Sequence, residues 1–107
     1  MIRHNQFSPG VQSLAIISEG HEKSILSAGV IEAGERYTFT HTRLEAIHVT
    51  SGEIIINGEP RTEKDGEQLF QPGGEIVFEA RVPSSYLCLF PNEGSSKLEE
   101  GFLETGL

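Results

Sequence analysis

An all-β fold, closed into a small barrel within one domain, is what this chain predicts, and three observations carry the prediction. Turn signals recur at short, regular intervals. The segments between them have strand length and are rich in β-branched and aromatic residues. No window before residue 91 keeps a helical period. Many short strands separated by evenly spaced turns are the pattern of a sandwich or small barrel.

The elements follow in order. SPG (8–10) opens the first strand, SLAIIS (13–18), and EGH (19–21) ends it. ILSAGVI (25–31) runs to the turn AGE (33–35), and RYTFT (36–40) follows. AIHV (46–49) alternates toward Ser51-Gly52, and EIIIN (53–57) leads into Asn57-Gly58. That pair is the sharpest hairpin signal, because both residues tolerate the positive φ of a type I′ turn. Asp65-Gly66 and PGG (72–74) then precede EIVFEARV (75–82), and VPS (82–84) separates it from SYLCLF (85–90). The tail, PNEGSSKLEEGFLETGL, changes composition, with a weak helical turn expected around KLEEGFL.

Length and charge narrow the function. At 107 residues the chain is read as one domain, 1–107, since a second would be too small for its own core. Its apolar runs fall far short of the roughly 20 residues of a membrane span, so no membrane partner is expected. Ile2 is followed at once by RHNQ, with no leader pattern, and the expected location is cytoplasmic. The single cysteine, Cys88, has no internal disulfide partner, which agrees with a reducing compartment. A net charge of -8, with eight scattered Lys and Arg, argues against nucleic acid as a partner.

Two glycine and proline skeletons add geometry. Gly34, a turn, Glu45, six residues and Gly52 match the first motif of the cupin barrels; Asp65-Gly66, Pro72 and Gly74 match the second. These residues make the bends that close a small barrel, so the expected fold is a cupin-type β-barrel, a jelly-roll-like double-stranded β-helix. The metal ligands of that motif do not follow. Counted from Gly34, its histidine positions fall on Thr40, Thr42 and Val77, and hydroxyls and an isopropyl group do not replace imidazole. His41 lies between, so strand alternation is expected to turn it away. No metal or other cofactor is expected.

Beyond the skeleton, NQFSPGVQSL, the string SAGVIEAGERYTFTHTRLEAIHVTSGEI and PSSYLC at 83–88 resemble the pyrimidine/purine nucleoside phosphorylases, small single-domain cupins. The resemblance covers residues 5–90 and leaves 91–107 outside. It implies a metal-free pentosyltransferase of nucleoside salvage, broad in specificity, that uses phosphate as co-substrate to split nucleosides into free base and ribose 1-phosphate.

That chemistry passes through an oxocarbenium-like state. It needs a carboxylate near the ribose, a cation for phosphate and a donor for the departing base. Glu45 stands at the former metal-ligand position and is expected to point inward. The motif's asparagine position falls on Arg81, which shares parity with Val77 and Glu79, so an inward Arg81 is expected to bind phosphate bidentately. Arg36, Arg43 and Lys23 are the cations in reserve. Thr38, Thr40, Glu79, Ser85 and Tyr86 are expected to bind substrate, although Ser85 and Tyr86 cannot both face inward on a regular strand. Tyr37 and Phe39 read as core, and Cys88, in YLCLF, as a buried inert thiol. Two other functions stay open: a non-catalytic sugar or metabolite-binding cupin, and a metal-dependent cupin enzyme using His41 and Glu45. A homodimer is expected to cover edge strands, with SLAII or ILSAGVI contributing.

Overall fold

The computed structural model describes residues 1–17 and 24–91, and they form ten strands in two sheets. The expected EGH turn and the helical turn around KLEEGFL lie outside the described residues. The larger sheet orders β1 (Ile2–Ser8), β2 (Val11–Ile17), β3 (Ser24–Ile31), β10 (Ser84–Leu89), β5 (Glu45–Ser51) and β8 (Glu67–Phe70). The smaller orders β4 (Arg36–Thr40), β9 (Glu75–Ala80), β6 (Ile54–Ile56) and β7 (Glu59–Arg61). All pairings are antiparallel.

The strands that build the core alternate in burial with a two-residue period, one face inward. Val11, Ile31, Ile47, Val49 and Tyr86 of the larger sheet meet Ile54, Ile56, Ile76, Phe78 and Ala80 of the smaller one across a shared core. The β6–β7 hairpin closes at Asn57-Gly58, whose φ values of 49° and 83° are the two positive angles a type I′ turn requires. The Asn57 side chain also accepts a hydrogen bond from the Val77 amide at 2.8 Å, tying the turn to β9. A 3-10 turn, Glu63–Asp65, is capped by Thr62 and Asp65, with the Thr62 amide donating to Asp65 Oδ2 at 2.7 Å.

Three strands were absent from the expected set: β1, β7 and β8, each at a sheet edge. Edge strands carry short or mixed sequences because only one side is paired, and IRHNQFS, EPR and EQLF show little alternation to read. The expectation that SLAII or ILSAGVI offers a free edge is corrected. They lie on β2 and β3, interior strands with partners on both sides.

Candidate active-site cavity

β4 ends at Thr40, and residues 41–44 cross to β5. His41 anchors this crossing: its amide donates to the Gly74 carbonyl at 3.3 Å, and its own carbonyl accepts from the Gly73 amide at 3.0 Å. The turn after β4 is thus held against the PGG turn before β9. The His41 ring is buried, and its Nδ1 lies 3.1 Å from the Arg43 carbonyl. A carbonyl only accepts, so Nδ1 carries the hydrogen.

The next strand begins with Glu45, whose side chain enters a cavity between the sheets. Phe39, Ile76 and Phe78 line one side, and Ser13, Ser27, Tyr86 and Cys88 the other. Phe7 and Phe90 stand with them in the lining. The enclosed space is about 70 Å³, and about 380 Å³ with the open mouth counted. The first figure holds about two waters; the second includes open solvent at the mouth. The aromatic rings form one connected wall: Phe7 to Phe39 at 5.0 Å, Phe39 to Phe78 at 5.2 Å and Phe78 to Tyr86 at 4.9 Å between centroids, all edge-to-face.

Burial governs the acid–base character here. It raises the pKa of Glu45 above the ordinary glutamate range, and the electrostatic influence of the neighbouring His41 and Arg43 opposes the rise. Burial pushes the Cys88 thiol up to about 12, helped by the Glu45 charge, so Cys88 is the inert thiol its apolar strand implied. The Tyr86 hydroxyl is raised as well, by burial first and then by Cys88 and Glu45. Arg43 lies 4.6 Å over the Phe90 ring, and its Nη2 donates to the Ser24 carbonyl. Its Nε is buried without a hydrogen-bond partner. Burial lowers its pKa and the Glu45 charge raises it.

The expected site therefore divides. Glu45 and Tyr86 line the cavity. Thr38, Thr40, Glu79 and Arg81 do not, and the inward orientation expected for them is corrected. In the β4–β9 pairing Tyr37 faces Phe78 and Phe39 faces Ile76 on the inner side. Thr38–Val77, Thr40–Glu75 and Arg36–Glu79 are the alternate, outer pairs. Glu79 bonds Arg36 at 3.1 Å on this outer surface, and Arg81 stands exposed beyond the end of β9. Alternation fixes one phase per strand, and the apolar set Ile76, Phe78 and Ala80 claims the interior. The same phase turns His41 inward, against expectation. Ser85 points outward and bonds the Thr50 and Ser51 hydroxyls, each at 2.6 Å, which leaves Tyr86 as the inward residue of the pair. Of the reserve cations, Arg36 is on the outer face with Glu79, and Lys23 lies outside the described residues. Arg43 has no sequence signature beyond its place in the THTRL turn, and only the fold sets it beside Glu45.

His41 and Glu45 are present, but the inward positions of β9 are Ile76 and Phe78, and the described residues hold no group of three His, Cys, Asp or Glu suited to a metal ion. The donor set does not fit a cupin metal centre.

No family model matches the chain, and no curated protein matches it. Solved structures do. A protein of unknown function from Vibrio parahaemolyticus superposes with a TM-score of 0.66 at 25% identity, covering 83% of this chain and 97% of that one. A protein of unknown function (DUF1255) from Acinetobacter sp. ADP1 gives 0.63 at 20% identity, over 83% and 90%. An RmlC-like cupin from Shewanella frigidimarina gives 0.62 at 12% identity, over 86% of each chain. The fold is that of a small cupin barrel, as expected, and these likenesses carry no activity with them.

Proposed function

We propose that this barrel is a nucleoside phosphorylase, using phosphate to convert purine and pyrimidine nucleosides into free base and ribose 1-phosphate without a metal. The observation that carries the proposal is a half-buried carboxyl, Glu45, in an aromatic-walled cavity with the Arg43 guanidinium beside it. A carboxyl with a raised pKa is suited to hold a proton for a leaving group. Glu45 is therefore the general acid here rather than the ribose-supporting carboxylate. The phosphate oxygen forms a bond to the anomeric carbon as the bond to the base nitrogen breaks. The electron pair goes to the base, which takes the Glu45 proton; the phosphate dianion supports the oxocarbenium-like charge. Arg43, whose charge acts on Glu45 from behind the Phe90 ring of the lining, is the cation for that phosphate in place of Arg81. The edge-to-face rings of Phe7 and Phe39 supply apolar surface for the base. The enclosed space alone is too small for a nucleoside, so the sugar and phosphate occupy the mouth.

The test is incubation of purified protein with a panel of nucleosides, with and without inorganic phosphate, followed by detection of free base and ribose 1-phosphate. Base release that requires phosphate is expected, and Glu45→Gln should slow it about a hundredfold or more. Binding of nucleosides with no base released under any condition would reject the catalytic assignment and leave a binding protein.

A further inference from the structure

Four polar residues are buried among the described residues: Ser13, Ser27, His41 and Ser84. Two of them serve the fold. The Ser84 hydroxyl accepts from the Glu53 amide at 3.0 Å and reaches the Glu53 and Val82 carbonyls at 3.0 and 2.8 Å, while His41 holds the turn after β4. Ser13 and Ser27 are placed differently. Both line the cavity, and their contacts are to side chains: Asn5 Nδ2 donates to Ser13 Oγ at a long 3.4 Å, and Ser27 hydrogen-bonds the Cys88 thiol, a weak partner. Neither contact uses up a hydroxyl, which has one hydrogen to donate and two lone pairs to accept. The other buried positions on these strands are apolar or glycine, namely Val11, Ala15 and Ile17 on β2 and Gly29 and Ile31 on β3. A hydroxyl on such a wall is costly unless a polar partner meets it.

We infer that Ser13 and Ser27 determine base specificity: their hydroxyls hydrogen-bond the edge of the base opposite its glycosidic nitrogen, so the site selects bases with an oxo or amino group there. The inference rests on the phosphorylase proposal. Register supplies the geometry. Ser27 pairs with Cys88, which pairs with Ile47, two residues beyond Glu45; Ser13 and Tyr86 flank Gly29 one row further in. Successive inward rows stand about 7 Å apart, so a base with its glycosidic side at Glu45 turns its far edge to the serines. Volume agrees. The enclosed space of about 70 Å³ admits the polar edge of a ring and not a whole nucleoside. Chemistry sets the selectivity. Glu45 and Arg43 are committed to the leaving group and the phosphate, which leaves hydroxyls to read the edge. A hydroxyl rotates to donate to an oxo group or to accept from an amino group, so purines and pyrimidines of either kind are accommodated. A base with only hydrogen at that edge leaves buried hydroxyls unpaired, and is disfavoured for that reason.

The test measures base release by the full chain at saturating phosphate, with circular dichroism to confirm the fold. Inosine and uridine are compared with analogues lacking the edge group, purine riboside and pyrimidin-2-one riboside. Ser13→Ala and Ser27→Ala should each lower kcat/KM for inosine and uridine about three- to tenfold, the scale of one hydrogen bond. For the two analogues the change should be less than about twofold, since there is no bond to that edge to lose. Should either variant lose its fold, Ser13→Cys or Ser27→Cys takes its place, similar in shape but a poor hydrogen-bonding partner, with the same contrast expected. An equal loss for all four nucleosides marks a packing role and overturns the inference, as does no loss for any. If the wild-type protein releases no base from any of them, the phosphorylase proposal fails, and calorimetric titration of the same four nucleosides decides this one. The same contrast in Kd supports it; equal losses, or no binding, overturn it.

Discussion

Gly29 and Tyr86 are cross-strand neighbours on β3 and β10, and the glycine leaves the space that the tyrosine ring fills. A Cβ added at Gly29 would stand 2.2 Å from Tyr86 Cζ and 2.4 Å from its Oη. The ring cannot swing aside cheaply: Tyr86 is 3% exposed and lies edge-to-face against Phe78 at 4.9 Å. Gly29→Ala therefore forces the ring or the β3 backbone to move by more than an ångström, an overpacking cost of about 1–3 kcal/mol. For a domain of this size each kcal/mol lowers Tm by about 4–8 °C, so a loss of roughly 5–20 °C is expected in a circular dichroism melt. The cause is checked by a double-mutant cycle with Tyr86→Leu, which removes the ring atoms that clash. The cycle should show a favourable coupling of about 0.5–3 kcal/mol. A Gly29→Ala protein that melts like the parent, or a double variant whose losses simply add, would refute the view that Gly29 exists to admit the tyrosine ring. Tyr86 also lines the cavity, so the same substitution should lower base release by more than its stability loss alone explains.

Three further outcomes are expected. Arg43→Met should raise the phosphate concentration for half-maximal rate several-fold while nucleoside dependence changes less, measured by initial rates at varied phosphate. Glu45→Gln should stabilise the fold at neutral pH and give no advantage near about pH 4. The native carboxyl has a folded pKa raised by burial, so its contribution is fully present below the unfolded value and lost as pH rises through the folded one; melts across that window check the sign. Arg36→Met should change stability by less than about 1 kcal/mol, because the Arg36–Glu79 pair has side chains 65% and 45% exposed; urea titration reads this.

Much of the barrel was legible because turn chemistry is local. Asn57-Gly58 needed no tertiary context to be read as a hairpin, and its backbone angles are those the pair tolerates. The interior strands announced themselves through alternation, as in β2, where Val11, Ser13, Ala15 and Ile17 face inward. Three edge strands did not. With one flank unpaired and less to bury, IRHNQFS, EPR and EQLF carry no periodic signal, and only their partners define them.

The site was half legible, and the loss has a single physical origin. Counting positions from Gly34 along a metal-binding pattern set the phase of β4 and β9 one residue out of step, and a slip of one moves every side chain to the other face. The amphipathic pattern held the right phase in EIVFEAR: Ile76, Phe78 and Ala80 are apolar, while Val77, Glu79 and Arg81 include two charges. Turning Glu79 and Arg81 into a cavity walled by phenylalanines would bury a carboxylate and a guanidinium at a cost of several kcal/mol each. No spacing rule outweighs that. The same energetic criterion leaves Glu45 as the acidic side chain in the cavity lining, where nearby Arg43 and His41 offset part of its desolvation. Where a chain has lost a metal motif's ligands, burial cost sets the inward phase, and the motif's glycines and prolines mark only the bends.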